Sequence, residues 1–279
     1  MGGEAGAILP LRATTVGESL DGAVALLRQR ALPMLGVGAV LAAGEQILLH
    51  HLRERAGLTP PFYWVNDDAA AWWSVVVTGL ALETAIITLL GGYAGAAVGP
   101  ALLGRPVRHR ALWRHARIPS AVLVAIILGQ LAWPGGYVLF GAVTVYALFG
   151  LATPSMAMEG YGNPFRALVR SARLSSRGGM RVARIRILGY LTWLAVRAGL
   201  GIGWYAVASL AADMSGRTWM DWVVPVAWAL ANTVAYPALA CLDAVLLVEA
   251  RIRTEGLDIA VNRSRALGGD DAAVLAVTR

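Results

Sequence analysis

The segment Ala85-Ile-Ile-Thr-Leu-Leu-Gly-Gly-Tyr-Ala-Gly-Ala-Ala-Val-Gly-Pro-Ala-Leu-Leu103 contains no charged residue over its whole length. A second uncharged segment, residues 223–242, lies nearer the end of the chain. A helix needs roughly 20 mainly apolar residues to cross the hydrocarbon layer of a bilayer. A soluble core would need shorter apolar runs broken by charge. Both segments therefore predict transmembrane helices.

The composition of the whole chain supports that interpretation. Of its 279 residues, 57% are hydrophobic and 15% are charged, and the mean hydropathy is +0.60. Soluble domains average roughly 45–50% apolar and about 25% charged residues. The sequence predicts an all-α, polytopic membrane protein with about six transmembrane helices, at residues 31–50, 71–101, 118–133, 136–158, 184–210 and 221–249. The segment Trp133-Pro-Gly-Gly136 is expected to form a tight turn between the third and fourth spans.

The distribution of arginine predicts how the chain is oriented. All 24 basic residues are arginine, a usage typical of a GC-rich bacterial genome. With six spans, and with the loop before the fifth span counted as residues 159–186, alternate loops carry 20 and 3 arginines, and Arg197 lies within a span. Loops rich in basic residues stay on the cytoplasmic side of a membrane. The sequence therefore predicts a multi-pass protein of the bacterial inner membrane with both termini in the cytoplasm.

Three regions follow from this topology. Residues 1–30 form an N-terminal cytoplasmic amphipathic segment, residues 31–249 form the membrane domain, and residues 250–279 form a cytoplasmic tail that is expected to be mobile beyond Asp258. Thr15-Val-Gly-Glu18 is a capping box, typical of a helix start. Further interfacial helices are predicted near 105–117 and 163–177, the second with Asn163 as its cap and Pro164 at its first position.

The three predicted interfacial helices share the pattern Ala-Leu-x-Arg, at residues 25–28, 111–114 and 167–170, and each precedes a pair of spans. The architecture is therefore interpreted as three hairpins, each introduced by an amphipathic helix. A true structural repeat and a chance similarity in a chain rich in Ala, Leu and Arg both account for the pattern.

Arginines on these helices are candidates for contact with anionic lipid headgroups of the cytoplasmic leaflet. The alternative is that they only fix the topology and connect spans. Nucleic acid is a poor partner because the charge follows membrane sidedness. The candidate lipid-surface residues are Arg110, Arg114, Arg117, Arg166, Arg170, Arg173 and Arg177.

Ionisable residues inside predicted spans are candidates for function, because a charge in the hydrocarbon layer is costly. The candidates are Glu45, Glu83, Arg197 and Asp243. Glu83 and Arg197 fall at similar depth by residue count, within reach of an arginine side chain. They predict either a buried ion pair that fixes helix packing or a polar cavity for a lipid headgroup, a proton or a substrate.

No motif for catalysis, cofactor binding or metal binding is recognisable. The histidines form two pairs, His50-His51 and His109 with His115, which are predicted on opposite sides of the membrane. The sequence has no His-Glu-x-x-His, no phosphate-binding glycine loop followed by Lys and no Gly-x-Ser-x-Gly. The single cysteine, Cys241, excludes an intramolecular disulfide and is interpreted as a packing residue. We expect neither an enzyme nor a bound cofactor.

Three stretches carry a family resemblance: Leu11-Arg-Ala-Thr-Thr-Val-Gly-Glu-Ser-Leu-Asp-Gly-Ala23, Pro154-Ser-Met-Ala-Met-Glu159 with the following Asn163-Pro-Phe-Arg-Ala-Leu-Val-Arg-Ser-Ala172, and Leu246-Leu-Val-Glu-Ala-Arg-Ile-Arg-Thr-Glu-Gly-Leu-Asp258. They resemble the membrane domain of the glycerophosphoryl diester phosphodiesterase membrane-domain family and its uncharacterised bacterial relatives. The resemblance implies a multi-pass fold. It does not imply phosphodiester hydrolysis, because the hydrolase barrel of that family is absent from this sequence. The last stretch departs from the family pattern at Val248 and Glu249.

Two functions remain open at the level of sequence. One is a non-enzymatic envelope scaffold, assembly factor or lipid-interacting component that works through lipids, a membrane protein partner or a second copy of itself. The other is a transporter or lipid-handling channel that uses Glu83, Arg197 and Asp243. A membrane cavity lined by those side chains would favour the second function, whereas a dry bundle would favour the first.

Overall fold

The computed structural model describes residues 8–61, 63, 68–211 and 218–275. Within these residues the chain is all-α, and six of its helical segments are long and apolar enough to cross a membrane. The predicted fold class is therefore confirmed. Of the predicted N-terminal segment and C-terminal tail, residues 1–7 and 276–279 lie outside the described residues.

The helices are α1 (Val16–Gln29), α2 (Ala31–Arg55), α3 (Ala69–Leu102), α4 (His109–His115), α5 (Ile118–Tyr137), α6 (Phe140–Phe149), α7 (Ala152–Glu159), α8 (Pro164–Ala211), α9 (Val223–Glu255), α10 (Leu257–Ala266) and α11 (Asp271–Leu275). A 3₁₀ turn, Thr218–Trp222, precedes α9. The membrane-spanning helices are α2, α3, α5, the consecutive α6 and α7, the later part of α8, and α9.

Helices α3 and α9 form the centre of the bundle. Helix α9 packs against α1, α2, α3 and α8, whereas α3 also packs against α5 and α7. The outer helices α5 and α8 leave apolar side chains such as Leu123, Ile126, Leu188 and Leu191 exposed. An exposed apolar belt around a buried helical centre is the arrangement expected of a protein whose surroundings are hydrocarbon.

Helix α8 consists of two parts separated by a sharp break. Arg177 is extended, and Gly178, Gly179 and Met180 have positive φ values of 60°, 69° and 58°. This region of backbone conformation is open to glycine without steric cost, which accounts for the pair Gly178-Gly179. We refer to residues 164–176 as the first part of α8 and to residues 181–211 as its second part. The break falls between the predicted interfacial helix, which ends near 177, and the predicted span, which begins at 184.

The turn between the third and fourth spans was predicted at the wrong place. Helix α5 continues through Pro134 to Tyr137, and the chain reverses at residues 138–139. A Cβ atom on Gly135 would lie 2.9 Å from the carbonyl carbon of Gly141, so the two glycines let the antiparallel backbones touch. The Trp-Pro-Gly-Gly segment is therefore the last turn of a helix, and its glycines serve close packing.

The fourth span is broken at Gly150, between α6 and α7. The Ser171 hydroxyl accepts from the backbone N–H of Leu151 at 3.0 Å and donates to the carbonyl of Leu148 at 2.7 Å. These two hydrogen bonds satisfy backbone groups that the break releases inside the protein, where an unpaired group would be costly. The side chain of Arg186 lies against Gly150, and a Cβ atom there would be 1.8 Å from its Nη2 atom.

Each of the three helices that precede a hairpin has a buried leucine at the same position of its Ala-Leu-x-Arg segment. In each Ala-Leu-x-Arg segment the leucine is almost fully buried, since Leu26, Leu112 and Leu168 have relative exposures of 0%, 1% and 9%. The leucine anchors each helix to the bundle.

The predicted capping box of α1 is present, and hydrogen bonds from the Thr15 backbone N–H and the Arg12 guanidinium lower the pKa of Glu18 to about 2.

The C-terminal tail, for which the sequence predicts mobility beyond Asp258, contains two short helices within its described residues. Helices α10 and α11 follow α9, and Arg251 donates to the carbonyl of Leu275 at 2.6 Å. The Leu275 side chain is buried beside Gly99 of α3. At the same end of α3, the backbone N–H of Ile8 donates to the carbonyl of Ala101. Both ends of the described chain therefore meet at one end of the bundle.

Candidate functional site

The predicted contact between α3 and α8 is present. Both oxygens of Glu83 accept hydrogen bonds from the guanidinium of Arg197, and Tyr190 donates to Glu83 Oε2 at 2.5 Å. Glu83 and Arg197 are buried, with relative exposures of 7% each. One hydroxyl donor and one paired cation satisfy the carboxylate, as an ionised group inside a membrane protein requires.

The same cluster extends to α2 and α9. Arg197 also donates to Asn232 Oδ1 at 3.2 Å, and the Asn232 amide donates to Glu45 Oε2 at 3.3 Å. Tyr236 donates to that oxygen of Glu45 at 2.6 Å. We call this set the polar centre: Glu45, Glu83, Tyr190, Arg197, Asn232 and Tyr236. It ties together four of the membrane-spanning segments and brings three of the four predicted intramembrane residues to one place.

The fourth predicted residue, Asp243, lies apart from the polar centre. It forms a two-pronged ion pair with Arg186, at 2.5 Å to Nε and 3.0 Å to Nη2. The Tyr146 ring covers the guanidinium at 4.2 Å from its centroid. Asp243 and Arg186 are 1% and 2% exposed, so this pair sits in a dry part of the interior. Sequence reasoning missed Arg186 because it was assigned to the preceding loop.

A cavity of about 290 Å³ reaches the polar centre from one side. It lies between α3 and the second part of α8, with α2 and α9 behind it. Its lining residues with polar groups include Gln46, Arg53, Tyr63, Glu83, Tyr190, Arg197 and Trp228, and the remaining lining is mainly apolar. A mostly apolar cavity with a few convergent polar groups is the usual form of a small-molecule site. Asp243 does not line it.

Gly201, in the second part of α8, leaves space for Trp228, which forms part of the cavity wall. A Cβ atom on Gly201 would lie 2.3 Å from Nε1 of Trp228, so α8 can approach α9 closely only because residue 201 has no side chain. The neighbouring Gly199 and Gly203 have no such contact. Trp228 lies beside two guanidinium groups. Its ring centroid is 5.0 Å from Cζ of Arg53 and 5.9 Å from Cζ of Arg197.

The opposite end of the bundle, which holds α1, α4 and the first part of α8, is the arginine-rich end. Among the candidate lipid-surface residues, Arg110, Arg114, Arg166, Arg173 and Arg177 are exposed. Arg117 is half-buried and donates to the carbonyl of Tyr161 at 3.0 Å. A groove of about 460 Å³ runs along the first part of α8, lined by Tyr161, Phe165, Val169 and the arginines of that helix.

Arg170 differs from its neighbours and was predicted wrongly as a surface residue. Its guanidinium donates to Glu159 at 3.0 and 2.8 Å and to both oxygens of Glu255. Arg251 lies 3.2 Å from Glu159 and 3.4 Å from Glu255, which completes a cluster of two guanidiniums and two carboxylates. Helical periodicity placed Arg170 in one stripe with Arg166 and Arg173, but it could not reveal carboxylates on α7 and α9.

A second ion-pair cluster joins α8 and α9 to the residues before α1. Glu249 pairs with Arg181 and Arg253, and both arginines also donate to the backbone carbonyl of Thr14, at 3.1 and 2.6 Å. The stretches that carry the family resemblance thus converge here and at the Arg170 cluster. Their charged residues close the arginine-rich end of the bundle.

No metal site is formed by the residues that the structure describes, since they contain no group of three His, Cys, Asp or Glu side chains able to hold an ion. Cys241 is fully buried, with its Sγ atom 3.5 Å from Sδ of Met34. No protein-family model matches this chain, and no curated protein or solved structure is detectably similar to it.

Proposed function

We propose that this chain is a non-enzymatic, lipid-interacting component of the bacterial inner membrane, with its arginine-rich end on the cytoplasmic side. One observation carries the proposal. Arg166 and Arg173 are exposed on the first part of α8 and Arg177 at the break that follows it, beside the exposed side chains of Phe165 and Val169. A basic face next to an apolar one suits the boundary between lipid headgroups and acyl chains.

The contrast with nearby arginines strengthens the argument. Arg170, Arg181, Arg251 and Arg253 of the same end are each paired with a glutamate. Among the described residues, no carboxylate forms an ion pair with Arg166, Arg173 or Arg177. Phosphate groups of anionic lipids would supply the missing counter-charge. Each arginine near such a surface contributes on the order of 1 kcal/mol to membrane attraction.

The test measures lipid retention by the purified protein. The protein is reconstituted in nanodiscs of phosphatidylcholine with a minor fraction of phosphatidylglycerol, and lipids that remain after detergent extraction are quantified by mass spectrometry. The test variant carries Arg166→Gln, Arg173→Gln and Arg177→Gln. The control variant carries Arg28→Gln, Arg108→Gln and Arg263→Gln, which remove the same charge from exposed sites elsewhere.

We expect wild type and the control variant to retain phosphatidylglycerol in preference to phosphatidylcholine, and the test variant to lose that preference. Equal enrichment in all three proteins would overturn the proposal. Because the substituted side chains are exposed, all three proteins should unfold at similar temperatures.

A specific observation favours a second function, that of a transporter or lipid-handling channel. The cavity between α3 and α8 is lined by Glu83 and Arg197, as such a function would require. Asp243 has no part in this alternative, because its carboxylate is bound by Arg186 away from the cavity. The resemblance to the phosphodiesterase membrane-domain family is compatible with both functions, and membership of that family remains a proposal.

A further inference from the structure

Arg53 occupies an unusual position at the end of α2. Its side chain is buried, with a relative exposure of 5%, yet it lines two adjoining cavities. One is the 290 Å³ cavity that leads to the polar centre. The other, of about 260 Å³, lies towards the loop after α2 and includes Tyr63 and Asp221 in its lining. The guanidinium therefore stands where the two spaces meet.

The charge of Arg53 has no partner among the described residues. Arg53 donates to Gln46 Oε1 at 3.3 Å and interacts with the Tyr63 side chain, and its Cζ lies 4.7 and 5.0 Å from the ring centroids of Tyr63 and Trp228. Among the other buried guanidiniums, Arg186, Arg197 and Arg251 each hold a carboxylate, whereas Arg30, outside the cavity, donates to the carbonyl of Val107. A buried cation without a counter-ion is costly, and two aromatic faces and an amide compensate only part of that cost.

Two further donors near Arg53 are also unused. The hydroxyl of Tyr63 and the indole Nε1 of Trp228 are buried and have no hydrogen-bond acceptor in the described part of the chain. A tyrosine hydroxyl and a tryptophan N–H usually find an acceptor when they are buried. Both residues line the 290 Å³ cavity together with Arg53. All three residues line one space, in which the Arg53 guanidinium lies over the rings of the other two.

The carboxylates near this space are already engaged. Glu83, at the inner end of the cavity, is bound by Arg197 and Tyr190. Glu54, in the outer cavity, lies 3.2 Å from a ring nitrogen of each of His50 and His51. Asp221 lines the outer cavity without lining the inner one. Glu45 of the polar centre keeps Oε1 without a hydrogen-bond partner, but it does not line the cavity. Among the described residues, the space next to Arg53 is therefore lined by no free carboxylate and has room for an added one.

The rest of the cavity wall is apolar and includes Leu49, Val75, Leu80 and Leu194. A ligand that fills this space must combine an oxyanion for Arg53 with an apolar part for the wall. We propose that Arg53, Trp228 and Tyr63 form a binding site for an amphiphilic anion, a molecule with one carboxylate or phosphate group attached to an acyl or alkyl chain. The proposal rests on the transporter or lipid-handling channel function given above and specifies the class of ligand for it. It does not depend on lipid binding at the arginine-rich end.

The test uses three probes with the same chain length: decanoate, decyl phosphate and decyltrimethylammonium. Binding to the full chain in a non-ionic detergent is measured by quenching of tryptophan fluorescence with brominated analogues and by the shift in unfolding temperature. Arg53→Gln is the test variant. Arg55→Gln is the matched control, since Arg55 is exposed two residues later on the same helix.

We expect the two anionic probes to bind wild type and Arg55→Gln equally and to bind Arg53→Gln at least tenfold more weakly. The cationic probe should not bind in a saturable way. Equal affinity of the anions for Arg53→Gln, or saturable binding of the cation, would overturn the site. Preference for decanoate or for decyl phosphate separates a fatty-acid ligand from a phospholipid one.

A second variant keeps the proposal testable if Arg53→Gln does not fold. Trp228→Phe preserves an aromatic ring beside Arg53 and removes the N–H donor, so it should weaken the anionic probes several-fold. Unchanged affinity would contradict a role for the indole.

The triple variant at Arg166, Arg173 and Arg177 should bind the probes like wild type, so failure of the cavity site is distinguishable from failure at the arginine-rich end. Anion binding without measurable transport would leave the site in place and remove the transporter function.

Discussion

Arg186 has one of the largest fully buried side chains in the molecule. Its charge is tolerated because Asp243 binds it through two hydrogen bonds and Tyr146 covers its face. Taking two ions out of water costs several kcal/mol each, and their attraction offsets that cost only while both are present. A pair of this kind therefore makes each partner depend strongly on the other.

We expect Arg186→Leu to lower the free energy of unfolding by about 3–5 kcal/mol, because it leaves Asp243 as an uncompensated buried charge. The double variant Arg186→Leu with Asp243→Leu should recover more than half of that loss. The measurement is reversible unfolding in mixed detergent micelles, followed by circular dichroism. Arg184→Leu, at a neighbouring exposed position, is the control and should stay close to wild type. A double variant as unstable as the single one would contradict this account.

At the residue scale, sequence reasoning could identify which ionisable groups lie within the membrane but only some of their partners. Glu83 and Arg197 could be paired because residue counting gives depth along the membrane normal. Depth alone does not say which helices are neighbours. Asp243 was grouped with the other candidates for that reason, and Arg53 was counted as a loop charge although it lines the cavity.

At the scale of helices, the fourth span shows how a break can be stabilised inside a membrane protein. Gly150 separates α6 from α7, and the released backbone groups are bound by Ser171 from the first part of α8. Such irregular backbone is tolerated at membrane depth only where protein groups satisfy it. The absence of a side chain at Gly150 also leaves the space in which the Arg186 guanidinium lies.

Gly150→Ala should therefore destabilise the protein. The new methyl group would overlap the Arg186 guanidinium, which would have to move and weaken its pair with Asp243. Overpacking of this kind costs about 1–3 kcal/mol. Gly203→Ala is the matched control, because its new Cβ atom would meet nothing within 4 Å. Thermal unfolding in detergent should show a lower midpoint for Gly150→Ala and an unchanged or slightly higher one for Gly203→Ala; equal midpoints would refute the argument.

Helix positions were predictable because hydrophobic runs of the required length are visible in the sequence. The breaks and turns between helices were harder to predict from the sequence. The break in α6–α7 depends on Ser171 and Arg186, which lie 20 or more residues away in the chain. The turn after α5 depends on contact between Gly135 and Gly141, whereas the local signal, Pro134 followed by two glycines, suggested an earlier reversal.

For the whole molecule, the described ends of the chain meet beside the C-terminal end of α3, through Ile8 and Leu275. Six spans require this relation, since an even number of crossings returns the chain to the side where it began. The uneven distribution of arginine then predicts that this side is the cytoplasm. Composition and charge were sufficient for the number of spans, while the docking of the tail depended on contacts that its polar sequence did not reveal.

The predicted orientation can be tested with a membrane-impermeant maleimide on bacterial spheroplasts. Thr59→Cys should react in intact spheroplasts, whereas Asn262→Cys should react only after lysis, because the two exposed positions lie at opposite ends of the bundle. The native Cys241 is 0% exposed and should remain unlabelled in both conditions, which makes the unsubstituted protein the control. The reverse pattern, or equal labelling of both sites before lysis, would exclude the proposed topology.

The polar contacts of the bundle also determine when its assembly can be completed during synthesis. Glu45 and Arg186 belong to earlier spans than α9, but their partners Asn232, Tyr236 and Asp243 arrive with α9, the last of the six spans. A chain that lacks α9 would hold unpaired charges in hydrocarbon, where they are costly. Insertion of α9 is therefore the step of synthesis at which these buried groups gain their partners, and we expect chains that end before α9 to be unstable in the membrane.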